Sequence, residues 1–277
     1  MREIKSGIFV ETNLWGCNPG VVISGGKAVL IDSPLRPDLA LEWRNEIEKK
    51  SDILCLINTE HHIDHTASNY IFQDKPIISH KILREALSDS NPDEIRQQVL
   101  SIYREPINLP PDFKIVLPSI TFEDNLVIHL DDVTLDIRHT PGHTSGQSSV
   151  YIPERKVIFT GDNIFHSVQT FLQDALPYDW LLSLEQLETM DVEVIVPGHG
   201  DICDLSYVPQ QASFIREWLD AIENALAKQW SLEEAKEKIS FVDRYPMDLG
   251  LEELGPRLQQ MNVDRLYPLM KNRKAGT

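Results

Sequence analysis

The fold is decided by the stretch ILCLIN at residues 53–58, which TEHHIDH follows directly at residues 59–65. The first six residues are almost wholly apolar and rich in β-forming side chains, a pattern typical of a strand that is buried on both faces of a sheet. The acidic and histidine residues then lie at the carboxyl end of this predicted strand. Because sheet proteins place their sites at such strand ends and in the loops that follow, we expect a functional site here.

Side chains alternate sides along an extended chain, and this alternation sorts the polar residues of the stretch. Glu60 and His62 are predicted to point one way, and His61 the other way. Asp64 and His65 fall at the turn into the next helix. They are close enough to bind a second metal ion beside a first one at the strand end.

Three further polar residues lie in short glycine-containing loops after predicted strands. His143 lies in TPGHTSG, Asp162 follows Thr160-Gly161, and His199 lies in PGHG. Glycine permits the sharp backbone that a fixed ligand loop needs. Histidine and carboxylate side chains in such loops together indicate a metal site.

Outside these motifs, strand-rich and helical segments alternate twice along the chain. The first part contains strands joined through Gly25-Gly26, which is a hairpin signal, and strands return from Thr121 onward. This alternation predicts stacked sheets flanked by helices, in the α+β class.

The character of the sequence changes after Leu205. Residues 210–228, 231–239 and 250–272 have helical spacing, and Ser231 begins the second of these helices with a capping-box pattern. We therefore predict a catalytic domain at residues 1–204 and a helical C-terminal extension, residues 205–277, packed on the same domain. The pattern leaves open whether this extension forms a lid, a homodimer contact or a brace.

Composition limits the class of protein and its partners. The chain has 277 residues, 42% of them hydrophobic, and 26 basic against 43 acidic residues, a net charge of −17. Such a chain buries an ordinary core, and its charge repels nucleic acid and anionic lipid. The sequence has no apolar run long enough to cross a membrane and no secretory signal at its start. We expect a cytoplasmic protein that acts on a small molecule, without a nucleic-acid or membrane partner.

Taken together, the motifs resemble the metallo-β-lactamase fold hydrolases. The resemblance covers residues 1 to about 204 and includes E-x-H-x-D-H in place of the family's H-x-H-x-D-H. The other matching motifs are Asp32 in LIDSP, Gly142-His143, Gly161-Asp162 and Pro197-Gly198-His199. The chain looks most like the glyoxalase II-like and uncharacterised branch. The family implies an αββα four-layer sandwich, in which two mixed β-sheets pack face to face with helices outside.

The resemblance also implies a ligand set for two divalent ions. The first ion would be held by Glu60, His62 and His143, and the second by Asp64, His65 and His199. Asp162 would bridge the two ions, and Asp32 would orient a ligand without binding metal. His61 is expected just outside the ligand set or facing the substrate.

Glu60 stands where family members usually carry histidine. It is favoured as a direct ligand, but it could instead be a base outside the ligand set, or the site could hold a single ion. A fourth alternative is that His61 swings in as the missing imidazole. We expect Zn²⁺, with iron or manganese as alternatives because a carboxylate is a harder donor than imidazole.

The family chemistry implies a dinuclear hydrolase in which a metal-bridging hydroxide attacks an ester, thioester or lactone carbonyl. Asp64 would take the proton, and His166 would contact the leaving group or else be a surface loop residue. Expected pocket residues are Trp15, Phe165, Phe171 and Trp180. Two alternatives are an iron-dependent redox enzyme, of the persulfide dioxygenase or diiron type, and a catalytically degenerate metal-binding relative.

Overall fold

The computed structural model describes residues 1–102, 109 and 113–275. Within these residues, seven strands pair in chain order to form the first sheet. They are β1 (Arg2–Lys5), β2 (Ile8–Val10), β3 (Gly20–Ser24), β4 (Lys27–Ile31), β5 (Asp52–Ile57), β6 (Ile77–His80) and β7 (Ile120–Phe122). The pairs from β1 to β4 are antiparallel and those from β4 to β7 are parallel, so the sheet is mixed.

The predicted hairpin at Gly25-Gly26 is confirmed as the turn between β3 and β4. Both glycines have positive φ angles, 55° and 72°. Two-residue hairpin turns of type I′ require this backbone conformation, which glycine adopts without strain.

A second sheet contains five strands among the described residues, in the order β12-β11-β10-β9-β8. They are β8 (Asn125–Leu130), β9 (Val133–His139), β10 (Ser148–Ile152), β11 (Val157–His166) and β12 (Val194–Gly200). Only β11 and β12 pair parallel, and their register shifts between Gly161 and Phe165. Irregular pairing of this kind changes the direction in which side chains point, and here the irregular stretch contains Asp162.

The two sheets share one apolar core. Inward-facing side chains of both sheets form a single buried cluster, including Val29 and Ile57 from the first sheet and Ile137 and Phe159 from the second. A Cβ at Gly20 would overlap the ring of Phe159, so this glycine lets the ring pack against the first sheet.

Helices cover the outer faces of both sheets. They are α1 (Pro37–Glu48), α2 (Ile63–Thr66), α3 (Lys81–Asp89), α4 (Pro92–Ile102), α5 (Pro177–Glu188), α6 (Val208–Ala227), α7 (Leu232–Lys238) and α8 (Gly255–Ala275). Trp43 and Ile47 of α1 pack with Leu30 and Leu56 of the first sheet. Helices α5, α6 and α8 pack with Ile158 and Ile195 of the second sheet. The predicted two mixed sheets with helices outside are confirmed.

The C-terminal helices belong to this same packing. Trp218 of α6 and Leu266 of α8 lie in one buried cluster with Trp180 of α5. The capping box predicted at Ser231 is present, with reciprocal bonds to Glu234 at the start of α7. The division into residues 1–204 and 205–277 stays a prediction. Across the described part of the chain, no helix combines the length and the apolar character that a membrane span requires.

Candidate metal centre

The predicted ligands come from separate places in the chain and meet at one edge of the sandwich. Glu60 follows β5, and His62 occupies the N-cap position of α2, whose first turn carries Asp64. Asp162 lies within β11, and His199 lies within β12. His65 lies beside Asp64 in α2, and the loop between β9 and β10 supplies His143.

Four of these side chains form a first cluster, whose ligand atoms all lie within 4.8 Å of one another: Glu60, His62, His143 and Asp162. His62 Nδ1 is 2.7 Å from Glu60 Oε2 and 3.1 Å from His143 Nε2. His143 Nε2 is also 3.6 Å from Glu60 Oε1 and 3.5 Å from Asp162 Oδ2. These atoms surround a common point, as the ligands of one ion would.

A second cluster lies beside the first and contains Asp64, His65 and His199. Asp64 Oδ2 is 3.1 Å from His199 Nε2 and 3.8 Å from His65 Nε2. Asp162 faces both of these histidines, with Oδ1 3.2 Å from His65 Nε2 and Oδ2 3.4 Å from His199 Nε2. Asp162 thus stands between the two clusters, where a bridging carboxylate would lie.

Buried polar atoms at the centre lack well-aligned hydrogen bonds. They are both carboxylate oxygens of Glu60, Nε2 of His65 and Oδ1 of Asp162. Buried polar groups without partners are costly, and carboxylates packed against each other cost still more. Divalent cations would satisfy these atoms, and the set of imidazole nitrogens and carboxylate oxygens suits Zn²⁺ as well as Fe²⁺ or Mn²⁺.

Burial also shifts the protonation of the candidate ligands. It raises the pKa of Glu60 to about 7 and lowers the pKa of His143 to about 3. Burial alone would lower the pKa of His199 too, but Asp162 and other nearby carboxylates outweigh it and raise that pKa. A bound cation would favour the ionised carboxylate and the neutral imidazoles, which are the forms that bind metal.

Each candidate histidine presents its second ring nitrogen to an oxygen acceptor. His65 Nδ1 lies 3.0 Å from Asp32 Oδ2, and His143 Nδ1 lies 2.8 Å from the carbonyl oxygen of Phe171. Acceptors of this kind fix the tautomer and orientation of a metal-binding histidine.

Two acceptors in the same role were not identified from the sequence. Asp174 Oδ2 lies 2.9 Å from His62 Nε2, and Asp248 Oδ2 lies 2.8 Å from His199 Nδ1. Neither residue lies in a motif, and they are 112 and 49 positions away from their histidines along the chain. No spacing signal in the sequence points to either of them.

Asp32 lies where the resemblance placed it, beside the ligands. Its carboxylate accepts hydrogen bonds from the backbone N–H of Thr59, at 2.8 Å, and from the Thr59 hydroxyl, at 2.7 Å. Its φ angle of 54° is in the left-handed region, which aspartate tolerates better than most residues. Asp32 therefore holds both His65 and the backbone just before Glu60.

His61 lies outside the first cluster. Its ring packs against that of His62, with centroids 4.6 Å apart, and its candidate ligand group contains only His62 and Asp174. It lines the cavity above the centre. This placement favours Glu60 over His61 as the ligand, in line with the alternation of side chains at the strand end.

The structure places His166 away from the cavity. Strand β11 continues through His166 instead of ending at Asp162, so strand alternation directs Phe165 and His166 to opposite sides. Phe165 is fully buried and stacks under the ring of His199, whereas His166 Nδ1 lies 2.7 Å from the carbonyl oxygen of Asp201. Of the two alternatives for His166, contact with the leaving group does not agree with this position, and the residue lies in a strand and not in a surface loop.

The four expected pocket residues divide into two pairs. Trp15 and Phe171 line a cavity of about 450 Å³ that opens over both clusters. Trp180 and Phe165 are fully buried beneath the centre, where the Trp180 ring packs edge-on against His143 and Nε1 donates to the carbonyl oxygen of Asn163. This second pair supports the ligand loops and does not contact the cavity.

Comparison with known proteins agrees with the fold. A model of the metallo-beta-lactamase superfamily matches residues 12–199. Among solved structures, a metallo-beta-lactamase from Pontibacter korlensis superposes with a TM-score of 0.64, covering 78% of this chain and 97% of that chain. Its sequence identity is 19%, so this likeness concerns the fold alone.

Curated relatives include an acyl-coenzyme A thioesterase of Bos taurus, 30% identical over 53% of this chain and 56% of the relative. A probable metallo-hydrolase of Methanocaldococcus jannaschii is 31% identical over 66% of this chain and 87% of the relative. A hydroxyacylglutathione hydrolase of Mesorhizobium japonicum is 26% identical over 53% of this chain and 48% of the relative. The chain thus spans about half the length of the thioesterase and of the hydroxyacylglutathione hydrolase.

Proposed function

The chain belongs to the metallo-beta-lactamase superfamily, and on this premise we propose that it is a hydrolase with two divalent metal ions that cleaves a small thioester or ester. The observation that carries the proposal is the position of Asp162. Its two carboxylate oxygens face histidines of both clusters, so one side chain joins two adjacent sets of ligand atoms.

When bound, two divalent ions would polarise the substrate carbonyl and lower the pKa of a water molecule between them to about 7. In the reaction, the water oxygen adds to the acyl carbon, and the bond from that carbon to sulfur or oxygen breaks. The products are a carboxylate, a proton and a thiol or alcohol.

The residues of this chain contact the substrate and transfer the proton. Asp64 lines the cavity, with Oδ2 3.1 Å from His199 Nε2, so this carboxylate is placed to take the proton from the attacking water and return it to the leaving group. His61 also lines the cavity, and burial lowers its pKa to about 4. It would therefore offer a neutral imidazole to the substrate at neutral pH.

The names of two relatives support the substrate class. One is an acyl-coenzyme A thioesterase and the other a hydroxyacylglutathione hydrolase, and both names describe hydrolysis of an acyl compound. Lactones fit the same chemistry, because a lactone is a cyclic ester.

The carboxylate at Glu60 is the reason to consider a second candidate function. A carboxylate in place of an imidazole shifts the metal preference from zinc toward iron or manganese, and an iron centre on this fold would allow an oxygen-dependent redox reaction. We place this function second, since the relatives' names describe hydrolysis.

One experiment separates the two functions. The protein is expressed without metal supplementation, purified under anaerobic conditions and subjected to elemental analysis. It is then assayed for hydrolysis of acetyl thioesters and for oxygen consumption with thiols and persulfides. Two zinc ions per chain and thioester hydrolysis would support the hydrolase.

The matched variants are Asp162→Asn, which changes the shared carboxylate, and Asp191→Asn, which changes an exposed carboxylate that pairs with Lys156. We expect the first to lose hydrolysis and the second to retain it. Iron with oxygen consumption, or no hydrolysis by protein fully loaded with metal, would overturn the proposal.

A further inference from the structure

The cavity over the metal centre is lined by two kinds of side chain. The candidate ligands His62, Asp64, His143, Asp162 and His199 form part of its wall. Another part is formed by apolar side chains of distant segments: Ala86, Leu87, Ile95, Leu251, Leu254 and Met261. A molecule that fills the cavity would therefore contact the candidate ligands with one part and hydrocarbon side chains with another.

Apart from the candidate ligands, the polar side chains of the wall are His61, Ser90, Gln98 and Gln173, and the described residues that line the cavity include no lysine or arginine. Burying an anionic group away from the metal centre would be costly, because none of the described residues there offers a lysine or arginine to compensate its charge. A charged carrier group, such as a nucleotide or a tripeptide, would instead extend through the opening into solvent.

Hydrogen bonds from α8 hold part of the cavity wall in place. In α8, the Asn262 side chain donates to the carbonyl oxygen of Thr170 and accepts from the backbone N–H of Leu172. These two bonds attach the segment that contains Phe171 to the helix that contains Met261. Phe171 and Met261 both line the cavity, so these bonds join two parts of its wall.

We propose that this cavity binds the hydrocarbon acyl chain of the substrate, with Ala86, Leu87 and Met261 determining the chain length that is accepted. The proposal deepens the proposed function and rests on it. The cavity volume of about 450 Å³ lies within the usual range for small-molecule sites. The helical extension thus contributes a substrate-binding wall to the site, through Leu254 and Met261.

The first test uses the full-length metal-loaded protein and a series of thioesters with acetyl, butanoyl, hexanoyl and octanoyl groups on one thiol. Each methylene group that contacts the apolar side chains of the wall should raise kcat/KM by about fourfold until the cavity is filled. The isomers ethyl octanoate and octyl acetate then show which side of the ester enters. We expect ethyl octanoate to be the better substrate. A flat series, or a preference for octyl acetate, would overturn the proposal.

Variants that fill the cavity provide the second test. Ala86→Trp and Met261→Trp should lower the ratio of octanoyl to acetyl hydrolysis by at least about tenfold, since several methylene groups lose their site. Ser88→Trp and Gln260→Trp add the same side chain at exposed positions of the same helices and serve as matched controls. These two controls should keep the wild-type ratio. Equal ratios in all four variants would contradict the assignment.

A binding experiment separates failure of this inference from failure of the proposed function. Isothermal titration with 1-octanol and with ethanol requires neither metal nor turnover. Binding of one 1-octanol per chain that Ala86→Trp abolishes and Ser88→Trp retains would support the acyl site, even if no ester were cleaved. Hydrolysis without any chain-length preference, together with no 1-octanol binding, would leave the hydrolase standing and refute the acyl site.

Discussion

Glu60 places a carboxylate at the centre of the candidate metal site, where the family pattern has an imidazole. The side chain is fully buried, and neither of its oxygens has a well-aligned hydrogen bond. A buried carboxylate in such surroundings is stable only when it is protonated or compensated by a cation. The role of this residue therefore decides how many ions the site holds.

We expect Glu60→Ala to retain one ion per chain instead of two, because the first cluster loses a donor while the second keeps all of its members. Metal content measured after dialysis checks this prediction. His61→Ala is the control and should keep both ions. The opposite result, with loss of an ion in the His61 variant only, would transfer the ligand role to His61.

Asp248 provides a second prediction at this scale, because its carboxylate holds His199 Nδ1. Asp248→Asn should weaken binding of the second ion by about 10-fold to 100-fold, the usual effect of removing the acceptor behind a metal-binding histidine. Competition with a chelator measures this affinity. Asp243→Asn, an exposed aspartate on the same segment, is the control. Equal affinities in the two variants would exclude a positioning role for Asp248.

The candidate ligands could be predicted because each lies in a short motif with glycine or histidine neighbours. Asp174 and Asp248 could not be predicted, since only the folded chain brings them to His62 and His199. His166 was misplaced because its position depends on how far β11 extends. Motifs and the family resemblance thus point to the candidate ligands, but not to the carboxylates behind them.

At the scale of secondary-structure elements, a pair of histidines joins the two sheets. His80 ends β6 of the first sheet and His139 ends β9 of the second, and their rings stack with centroids 3.8 Å apart. His80 Nδ1 accepts the backbone N–H of Ile82 as the N-cap of α3, while Nε2–H donates to the carbonyl oxygen of Glu123. The bond that Nδ1 accepts requires a neutral ring, whereas the bond from Nε2–H can also form when the ring is protonated.

This pair predicts a pH dependence of stability. Burial and the neighbouring His139 lower the pKa of His80 from 6.5 to about 4, with Lys81 lowering it further and Glu123 opposing. Between these two pH values the unfolded chain binds a proton that the folded chain does not. The stabilisation is therefore complete above pH 6.5 and is lost as the pH falls toward 4, by about 1 to 2 kcal/mol.

Urea unfolding of the wild type and of His80→Asn across this pH range measures the effect. Asparagine keeps an N-cap acceptor but does not titrate. The stability difference between the two proteins should shrink as the pH falls. Parallel pH profiles would show that His80 does not carry the dependence.

At the scale of the whole molecule, the sequence predicted the layers better than the role of the last helices. Alternating strands and helices with buried central strands predicted two sheets with helices outside, because these patterns follow directly from which faces are buried. The position of α8 depends on long-range packing instead, through residues such as Asn262 and Trp218. Nothing in the sequence around Asn262 shows that this residue lies beside a site whose last candidate ligand, His199, is more than sixty residues earlier in the chain.

Removal of residues 205–277 should therefore prevent folding of the remaining chain. The deletion exposes Phe165 and Trp180, which are fully buried in one cluster with Trp218. Loss of even a few large core side chains costs about 3 to 5 kcal/mol each, against a total stability of about 5 to 15 kcal/mol. Thermal unfolding monitored by near-UV circular dichroism should show no cooperative transition. A truncated protein that unfolds cooperatively and binds two ions would contradict this expectation.

The bond between Asp248 and His199 also sets an order of events during protein synthesis. Chains emerge from the ribosome with their N-terminal part first, so Glu60 and His65 are exposed long before the helices that close the site are made. The nascent chain carries histidine and carboxylate groups without the acceptor that orients His199. On the proposed function, a complete metal centre would form only after translation has passed residue 248, and we expect full metal loading to be a late step in the maturation of this protein.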